Sequence, residues 1–274
     1  MINKAKLNRV FPSEASQVSF PRNPAPSTSE FDILSNDYTS CRFVDIPSNF
    51  AWGVATAAYQ IEGAAAMDGR GPCVWDDFCK LNGTTRNGEN GDVADDFYHK
   101  YKGDVAMMKK LGIKNFRMSL SWSRILPLGT TDKGVNGLGV AFYNYVINEL
   151  LAAGITPWVT LHHWDTPSAL HNRTTTGSFL GRDIIDAFDN YADFVFAVYG
   201  DRVKHWITLN EPWTYSILGY ATGVNAPGRC SGDPKCIVNG GGGDSGSEPY
   251  IVSHHMMLSH AKAARTYMSK YQQA

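Results

Sequence analysis

The amino-acid sequence predicts an α/β fold in which a strand and a helix alternate four times. Short apolar runs alternate with longer segments whose apolar residues recur at helical spacing, which is the pattern of parallel strands joined by crossover helices. Polar residues cluster where these apolar runs end, and parallel α/β folds carry their functional groups at strand ends. With 274 residues, 43% of them hydrophobic, the chain can bury a sizeable core.

Residues 41–274 are predicted to form the folded domain. Residues 1–40 are rich in Ser, Pro and Asn without sustained periodicity, and we predict a disordered or loosely packed extension there. The predicted strands are residues 50–58, 115–120, 156–161 and 203–209, each of them an apolar run of strand length.

The predicted helices are residues 95–111, 139–153, 182–199 and 248–271. The first carries Val105, Met108 and Leu111 on one face, as expected for a helix that packs on a sheet. Gly154 ends the second, because glycine readily follows a helix C-terminus. Residues 219–246 contain many glycines and are predicted to be a long loop before the last helix.

Four strand–helix units are half of the eight that close a (β/α)8 barrel. An open parallel sheet would leave unpaired edges and an uncovered apolar face. The sequence therefore predicts a TIM barrel of which this chain supplies about the first four units. Either a C-terminal half-barrel on another polypeptide completes it, or the chain is truncated.

Charge excludes two classes of partner. The formal net charge is −1, with 25 basic and 26 acidic residues mixed along the chain, so neither nucleic acid nor an anionic membrane is an expected partner. No apolar run is long enough for a signal-peptide core in residues 1–30 or for a membrane span anywhere. The sequons Asn82-Gly83-Thr84 and Asn172-Arg173-Thr174 leave secretion open, and localisation stays unknown.

The chain has five cysteines, so at least one has no partner within it. Their spacing matches no zinc site. Cys230 and Cys236 lie in a loop rich in Gly, Pro and Asp. A disulfide between them is geometrically reasonable in an oxidising compartment, and free thiols are the alternative.

Polar clusters follow the first, third and fourth predicted strands, and one group lies on the second strand itself. These segments are Tyr59-Gln60-Ile61-Glu62-Gly63, Phe116-Arg117-Met118-Ser119, His162-His163-Trp164-Asp165 and Asn210-Glu211-Pro212-Trp213. The carboxyl ends of parallel strands meet at one edge, so we expect these side chains to form one site.

The side chains in these clusters suit a neutral substrate with many hydroxyl groups. Gln60, His163 and Asn210 offer amide and ring groups that can donate and accept hydrogen bonds, and Trp164 offers a stacking face. Glu211 follows a strand among the aromatic residues Trp206, Trp213 and Tyr215, where we expect partial desolvation that suits a general acid. Pro212 is expected to halt the strand at this point.

Each residue also has a structural interpretation. Gln60 alone is more often a loop or capping residue, and Arg117 alone more often forms a structural salt bridge. His162 and His163 are either core or metal-binding histidines. Adjacent residues on a strand face opposite sides, however, which makes a site with both histidines as metal ligands improbable.

These motifs resemble the N-terminal half of family 1 glycoside hydrolases, the β-glucosidase and myrosinase type. The resemblance runs from about residue 43 to the last residue. It is carried by residues 50–63, by Phe116-Arg117 with Trp122-Ser123-Arg124, by Leu161-His162-His163-Trp164-Asp165, and by Thr208-Leu209-Asn210-Glu211-Pro212. Leu209 and His162 stand where the family often has aromatic residues.

The resemblance implies a retaining hydrolase of O-glycosidic bonds in β-glucosides, active in carbohydrate metabolism without metal or organic cofactor. Its substrate would be a small-molecule or oligosaccharide β-glycoside. By resemblance, Gln60, His163 and Asn210 bind the non-reducing sugar beside Trp164. Glu211 matches the acid/base, and Arg117 matches the arginine that positions the nucleophile. Myrosinases have Gln in place of Glu211, which favours an O-glycosidase.

In many family members the segment matching Cys230 to Cys236 contains a disulfide. The family's nucleophile lies in a Thr-Glu-Asn-Gly motif, which is absent from these 274 residues. Glu62 and Glu248 fall at family positions that are not the nucleophile. We therefore expect the chain to be inactive alone. The alternative is a non-catalytic relative that binds glycosides or a protein partner.

Overall fold

The structure is a computed structural model that describes residues 46–171, 177–232, 236 and 242–272. The predicted extension, residues 1–40, lies outside the described residues, as does the sequon at Asn172. Residues 51–274 form one compact unit. Of the preceding unit, the structure describes residues 46–50, where the backbone N–H of Phe50 donates to the carbonyl of Pro47, N···O 2.9 Å.

The described residues form a parallel sheet in the order β1-β2-β3-β4. The strands are β1 (Val54–Ala55), β2 (Asn115–Ser119), β3 (Thr156–His162) and β4 (His205–Leu209). Arg117 of β2 pairs with Ala55 on one side and with Trp158 on the other, and Trp158 pairs with His205. This sheet confirms the first four strand–helix units of the predicted barrel.

The described α-helices lie between and after these strands. They are α1 (Ala58–Ile61), α2 (Val74–Cys79), α3 (Phe97–Lys110), α4 (Trp122–Ile125), α5 (Gly137–Ala152), α6 (Ile184–Tyr199), α7 (Pro212–Tyr220) and α8 (Glu248–Lys270). Helices α3, α5, α6 and α8 match the four predicted ones to within two residues at each end. No described helix combines the length and apolar character that a membrane span needs.

Two parts of the prediction were wrong. The first strand is shorter than residues 50–58, because the chain enters α1 at Ala58. Here Gly53 lies so close to β2 that a Cβ atom would sit 2.6 Å from the carbonyl oxygen of Asn115. Helices α1, α2, α4 and α7 were not predicted. Pro212 starts α7 rather than simply halting β4, since proline has no N–H to leave unpaired at the first helical position.

The core lies between the sheet and its helices. Phe116, Met118 and Val159 alternate with inward-facing residues along β2 and β3 and are buried in this helix-side core. Trp122 stacks on Tyr191 of α6 with ring centroids 4.8 Å apart. Burial of this apolar and aromatic surface is the main stabilising contribution to the fold.

The connection from α7 to α8 is held by a disulfide and an ion pair. Cys230 and Cys236 are joined, with Cα atoms 5.3 Å apart. Arg229 binds both carboxylate oxygens of Glu248, at 2.8 Å from Nε and 2.5 Å from Nη2. The ion pair joins the loop that follows α7 to the start of α8, and the disulfide closes a smaller loop within this connection.

Candidate active site

Asn210 and Glu211 follow β4 directly, at the C-terminal edge of the sheet. The backbone N–H of Asn210 donates to the carbonyl of His162 at the end of β3, N···O 3.0 Å. Glu211 has φ 41° and ψ 66° and is the residue directly before α7, where its side chain forms no capping hydrogen bond. This left-handed conformation is unfavourable for residues other than glycine, so the fold holds Glu211 in a strained turn between strand and helix.

Glu211 is not enclosed by its aromatic neighbours in sequence, and the expectation of a partly desolvated side chain is wrong for residues 1–274. Glu211 is an exposed residue. Trp213 is 72% exposed, Tyr215 packs edge-to-face against His162, and Trp206 packs against the helix-side core. The reason is that α7 begins at once and directs successive side chains around a helix.

A hydrogen-bonded chain links three of the predicted site residues. Arg117 donates through Nη2 to Oδ1 of Asn210, 2.5 Å away. The Nδ2 atom of Asn210 lies 3.0 Å from Nε2 of His163. The Nε of Arg117 donates to Oγ1 of Thr160, 3.0 Å away. Among the described residues no carboxylate forms an ion pair with Arg117, so its contacts do not match the structural salt bridge considered from the sequence.

His163 is neutral at pH 7 in this setting. Burial, followed by the positive charge of Arg117, lowers the pKa of His163 to about 4, while the nearby carboxylate of Glu211 acts in the opposite direction. The ring is therefore suited to exchanging hydrogen bonds with neutral hydroxyl groups.

The end of β3 separates the two histidines. His162 is fully buried and pairs through Nε2 with Oγ1 of Thr166, 2.9 Å away, so it belongs to the core. Trp164 has a positive φ of 72°, and its Nε1 donates to the carbonyl of Asn210, 2.9 Å away. This turn leaves His163 and Trp164 together on the open side of the sheet edge.

Gln60 shares a cavity of about 490 Å³ with His163 and Trp164. The cavity also has aromatic walls, since Tyr59 and Trp75 stack with ring centroids 5.8 Å apart. Gln60 is exposed in α1. The structure thus brings together Gln60, His163 and Trp164 on one cavity, and His163, Asn210 and Arg117 in one hydrogen-bonded chain. Among the described residues no group of three or more His, Cys, Asp or Glu could hold a metal ion.

The two glutamates that neighbour the motifs are engaged elsewhere. Glu62 is buried. Its carboxylate accepts hydrogen bonds from Nε of Arg124 at 3.0 Å and from the hydroxyl of Tyr143 at 2.6 Å. Glu248 is held by Arg229. Both carboxylates are therefore occupied by structural hydrogen bonds.

Sequence reasoning missed Thr160 and the partnership of Glu62 with Arg124. A polar residue within the apolar run of β3 was the available signal for Thr160. For Arg124, the signal was a charged residue inside the run 118–126, which is otherwise without charge.

Asp165 is a buried carboxyl group whose two oxygens accept no hydrogen bond from the described side chains. Burial raises its pKa to about 7, with Arg70 opposing the shift. Because the folded-state pKa lies above the unfolded value of about 3.9, the stabilisation from this group is complete below pH 4. It is lost as the pH rises toward 7.

We therefore expect Asp165→Asn to change the pH dependence of stability in the completed barrel, meaning residues 1–274 joined to a C-terminal half-barrel. The free energy of unfolding of the variant minus that of the wild type should increase by up to about 4 kcal/mol from pH 4 to pH 8. Urea denaturation at both pH values measures this difference. The exposed Asp201→Asn is the control, and an equal pH dependence for Asp165→Asn and wild type would refute the buried-carboxyl interpretation.

Comparison with known proteins identifies relatives of this chain. A family profile described as glycosyl hydrolase family 1 matches residues 44–274. The chain is 50% identical over 236 residues to beta-glucosidase 17 of Arabidopsis thaliana, covering 85% of this chain and 44% of that protein. It is 49% identical over 248 residues to the cyanogenic beta-glucosidase of Trifolium repens, covering 90% and 56%.

Solved structures of β-glucosidases are also similar to this chain. A rice β-glucosidase superposes with a TM-score of 0.79 at 47% identity, covering 84% of this chain and 47% of that one. A family 1 β-glucosidase from the fungus Humicola insolens, solved in complex with glucose, superposes with a TM-score of 0.78 at 44% identity, covering 84% and 47%. The chain spans about half the length of the relatives it matches.

Proposed function

Since this chain belongs to glycosyl hydrolase family 1, we propose that it supplies the sugar-binding and acid/base half of a retaining β-glucosidase. The observation that carries the proposal is the strand-end arrangement in which Glu211 follows Asn210, and Asn210 is held between Arg117 and His163. The names of the relatives, which include beta-glucosidases from Arabidopsis thaliana and Trifolium repens, support β-glucosides as the substrate class.

On this proposal, residues that follow β1, β3 and β4 bind the sugar. Gln60, His163 and Asn210 would hydrogen-bond the hydroxyl groups of the glucose unit, and Trp164 would cover one face of its ring. The neutral state of His163 supports this role, because a neutral imidazole pairs with hydroxyl groups without requiring a counter-charge.

The chemistry proceeds in two steps on this proposal. Glu211 protonates the glycosidic oxygen while a carboxylate nucleophile attacks the anomeric carbon, and the glycosidic bond breaks as the glycosyl-enzyme bond forms. Glu211 then removes a proton from water as the water oxygen attacks the same carbon. The glycosyl-enzyme bond breaks, the nucleophile leaves as a carboxylate, and glucose is released with its configuration retained.

The nucleophile would come from a C-terminal half-barrel outside residues 1–274, because Glu62 and Glu248 are already engaged. Retaining enzymes place the two carboxyl groups about 5–5.5 Å apart. Arg117, on the inner face of β2, would orient that nucleophile. We propose that this half-barrel is supplied either by a continuation of the same chain or by a separate chain.

The test compares two preparations on an aryl β-glucoside. We expect the completed barrel to release the aryl alcohol with β-glucose as the first sugar product, seen by proton NMR before mutarotation. We expect residues 1–274 alone to release neither. Turnover by residues 1–274 alone would refute the missing-nucleophile argument, and an initial α-glucose product would refute retention.

A further inference from the structure

Thr160 is a buried residue on the inner face of β3 with no assigned role. Its exposure is 0%. It lies on the same face of the sheet as Arg117, because Arg117 pairs with Trp158 and side chains alternate along a strand. Its Oγ1 accepts the hydrogen bond from Nε of Arg117 at 3.0 Å. The hydroxyl therefore fixes the plane of the guanidinium group, since Nε and the terminal nitrogens of arginine are coplanar.

The direction of the hydrogen bonds beyond Arg117 is determined by chemistry. Arginine only donates, so the atom of Asn210 that faces Nη2 must be the acceptor Oδ1. The opposite atom of the amide, Nδ2, only donates and lies 3.0 Å from Nε2 of His163. In the neutral ring Nε2 must then accept, which places the proton on Nδ1. Nδ1 is buried and has no hydrogen-bond partner among the described residues. The other tautomer would set two N–H groups against each other.

We propose that Thr160 is a positioning residue for the sugar site, which orients Arg117 and thereby holds the Asn210 amide in the flip state that fixes His163 as the Nδ1–H tautomer. Thr160 itself does not touch the sugar in this arrangement. Asn210 and His163 are the groups that meet the substrate, on the proposed function, and their donor and acceptor pattern depends on a hydroxyl one strand away.

Removing the hydroxyl should disturb the pattern without creating a cavity. Thr160→Val keeps the shape of the side chain but leaves Nε of Arg117 without its acceptor, so the guanidinium group can rotate away from Asn210. The amide of Asn210 then has no fixed acceptor side, and His163 can adopt either tautomer. Thr160→Ser keeps the hydroxyl and should restore the wild-type arrangement.

The kinetic test uses the completed barrel and an aryl β-glucoside. We expect Thr160→Val to lower kcat by about 10-fold to 100-fold, as when the hydrogen-bond partner of a metal-binding residue is removed. The effect should fall mainly on kcat rather than KM, because hydrogen bonds to the sugar strengthen in the transition state. Thr160→Ser should recover most of kcat. Thr156→Val, at the exposed start of the same strand, is the matched control and should leave kcat unchanged.

A second measurement reads the tautomer directly and does not depend on turnover. The ¹⁵N chemical shifts of the histidine ring nitrogens distinguish Nδ1–H from Nε2–H, and the signals of His163 are assigned by their loss in His163→Asn. We expect Nδ1–H in the wild type and in Thr160→Ser, and a mixture of tautomers in Thr160→Val.

The outcomes separate this inference from the proposed function. A wild-type His163 with its proton on Nε2 would overturn the inference whether or not the valine variant folds. Unchanged kcat and tautomer in a folded Thr160→Val would overturn it as well. If the wild-type barrel cleaves no β-glucoside, the proposed function fails, while the tautomer measurement still decides the role of Thr160.

Discussion

Replacing Glu211 with Gln in the completed barrel is expected to lower kcat/KM about 10²- to 10⁴-fold for an alkyl β-glucoside. An alkoxide is a poor leaving group, so its departure depends on protonation of the glycosidic oxygen. For a dinitrophenyl β-glucoside the loss should be small, because the phenolate leaves without a proton. The value of kcat/KM reports steps up to the first irreversible bond cleavage. It therefore isolates the acid role of Glu211 from its later role as base.

The measurement is kcat/KM for a series of aryl and alkyl β-glucosides that differ in the pKa of the leaving group. The logarithm of kcat/KM should fall steeply with leaving-group pKa in Glu211→Gln and only weakly in the wild type. Glu149→Gln on α5 removes a carboxylate away from the site and should follow the wild-type line. Equal losses across the series would show that Glu211 is not the acid.

The strand-end position of Glu211 could be predicted from sequence, but its surroundings could not. The apolar run of β4 followed by Asn210 and Glu211 is a local signal that needs no tertiary contact. The orientations of the Trp213 and Tyr215 side chains depend on α7. This helix was not predicted, because the residues that follow it are rich in glycine and indicated a loop. Pro212 fits both a strand end and a first helical turn, and only the structure distinguishes them.

Hydrophobic periodicity in the sequence predicted the long helices but not the short elements. Helices α3, α5, α6 and α8 each present a long apolar face, and their bounds follow from it. The two-residue strand β1 has no such pattern. Its small residues allow a close approach to β2 at Gly53, which is a tertiary constraint and leaves little local signal.

The supporting residues of the site depend on pairing across the sheet. Thr160 meets Arg117 and Glu62 meets Arg124 only because β1, β2 and β3 are neighbours, and each pair is far apart in sequence. A sequence shows that a polar residue lies in an apolar run, but not which distant group satisfies it. The roles of Thr160 and Arg124 therefore needed the structure.

Arg124→Met in the completed barrel is expected to lower the free energy of unfolding by about 3–5 kcal/mol. Arg124 is 1% exposed. It donates to Glu62 at 3.0 Å and to the carbonyl of Gly63 at 2.9 Å, and its guanidinium carbon lies 4.4 Å from the ring centroid of Tyr98. Methionine has a similar length but leaves the Glu62 carboxylate and the Gly63 carbonyl buried without their donor, and this desolvation cost is the main part of the loss.

A double-mutant cycle separates the ion pair from the loss of packing. Urea denaturation gives the free energy of unfolding for Arg124→Met, Glu62→Gln and the double variant. We expect the double variant to be more stable than Arg124→Met alone, since a neutral amide replaces the unpaired buried charge. Arg265→Met on the exposed face of α8 is the control and should change stability by less than about 0.5 kcal/mol. Additive losses would mean that Glu62 gains nothing from Arg124. In that case the connection from β1 to α4 would depend on the remaining partner of Glu62, the hydroxyl of Tyr143.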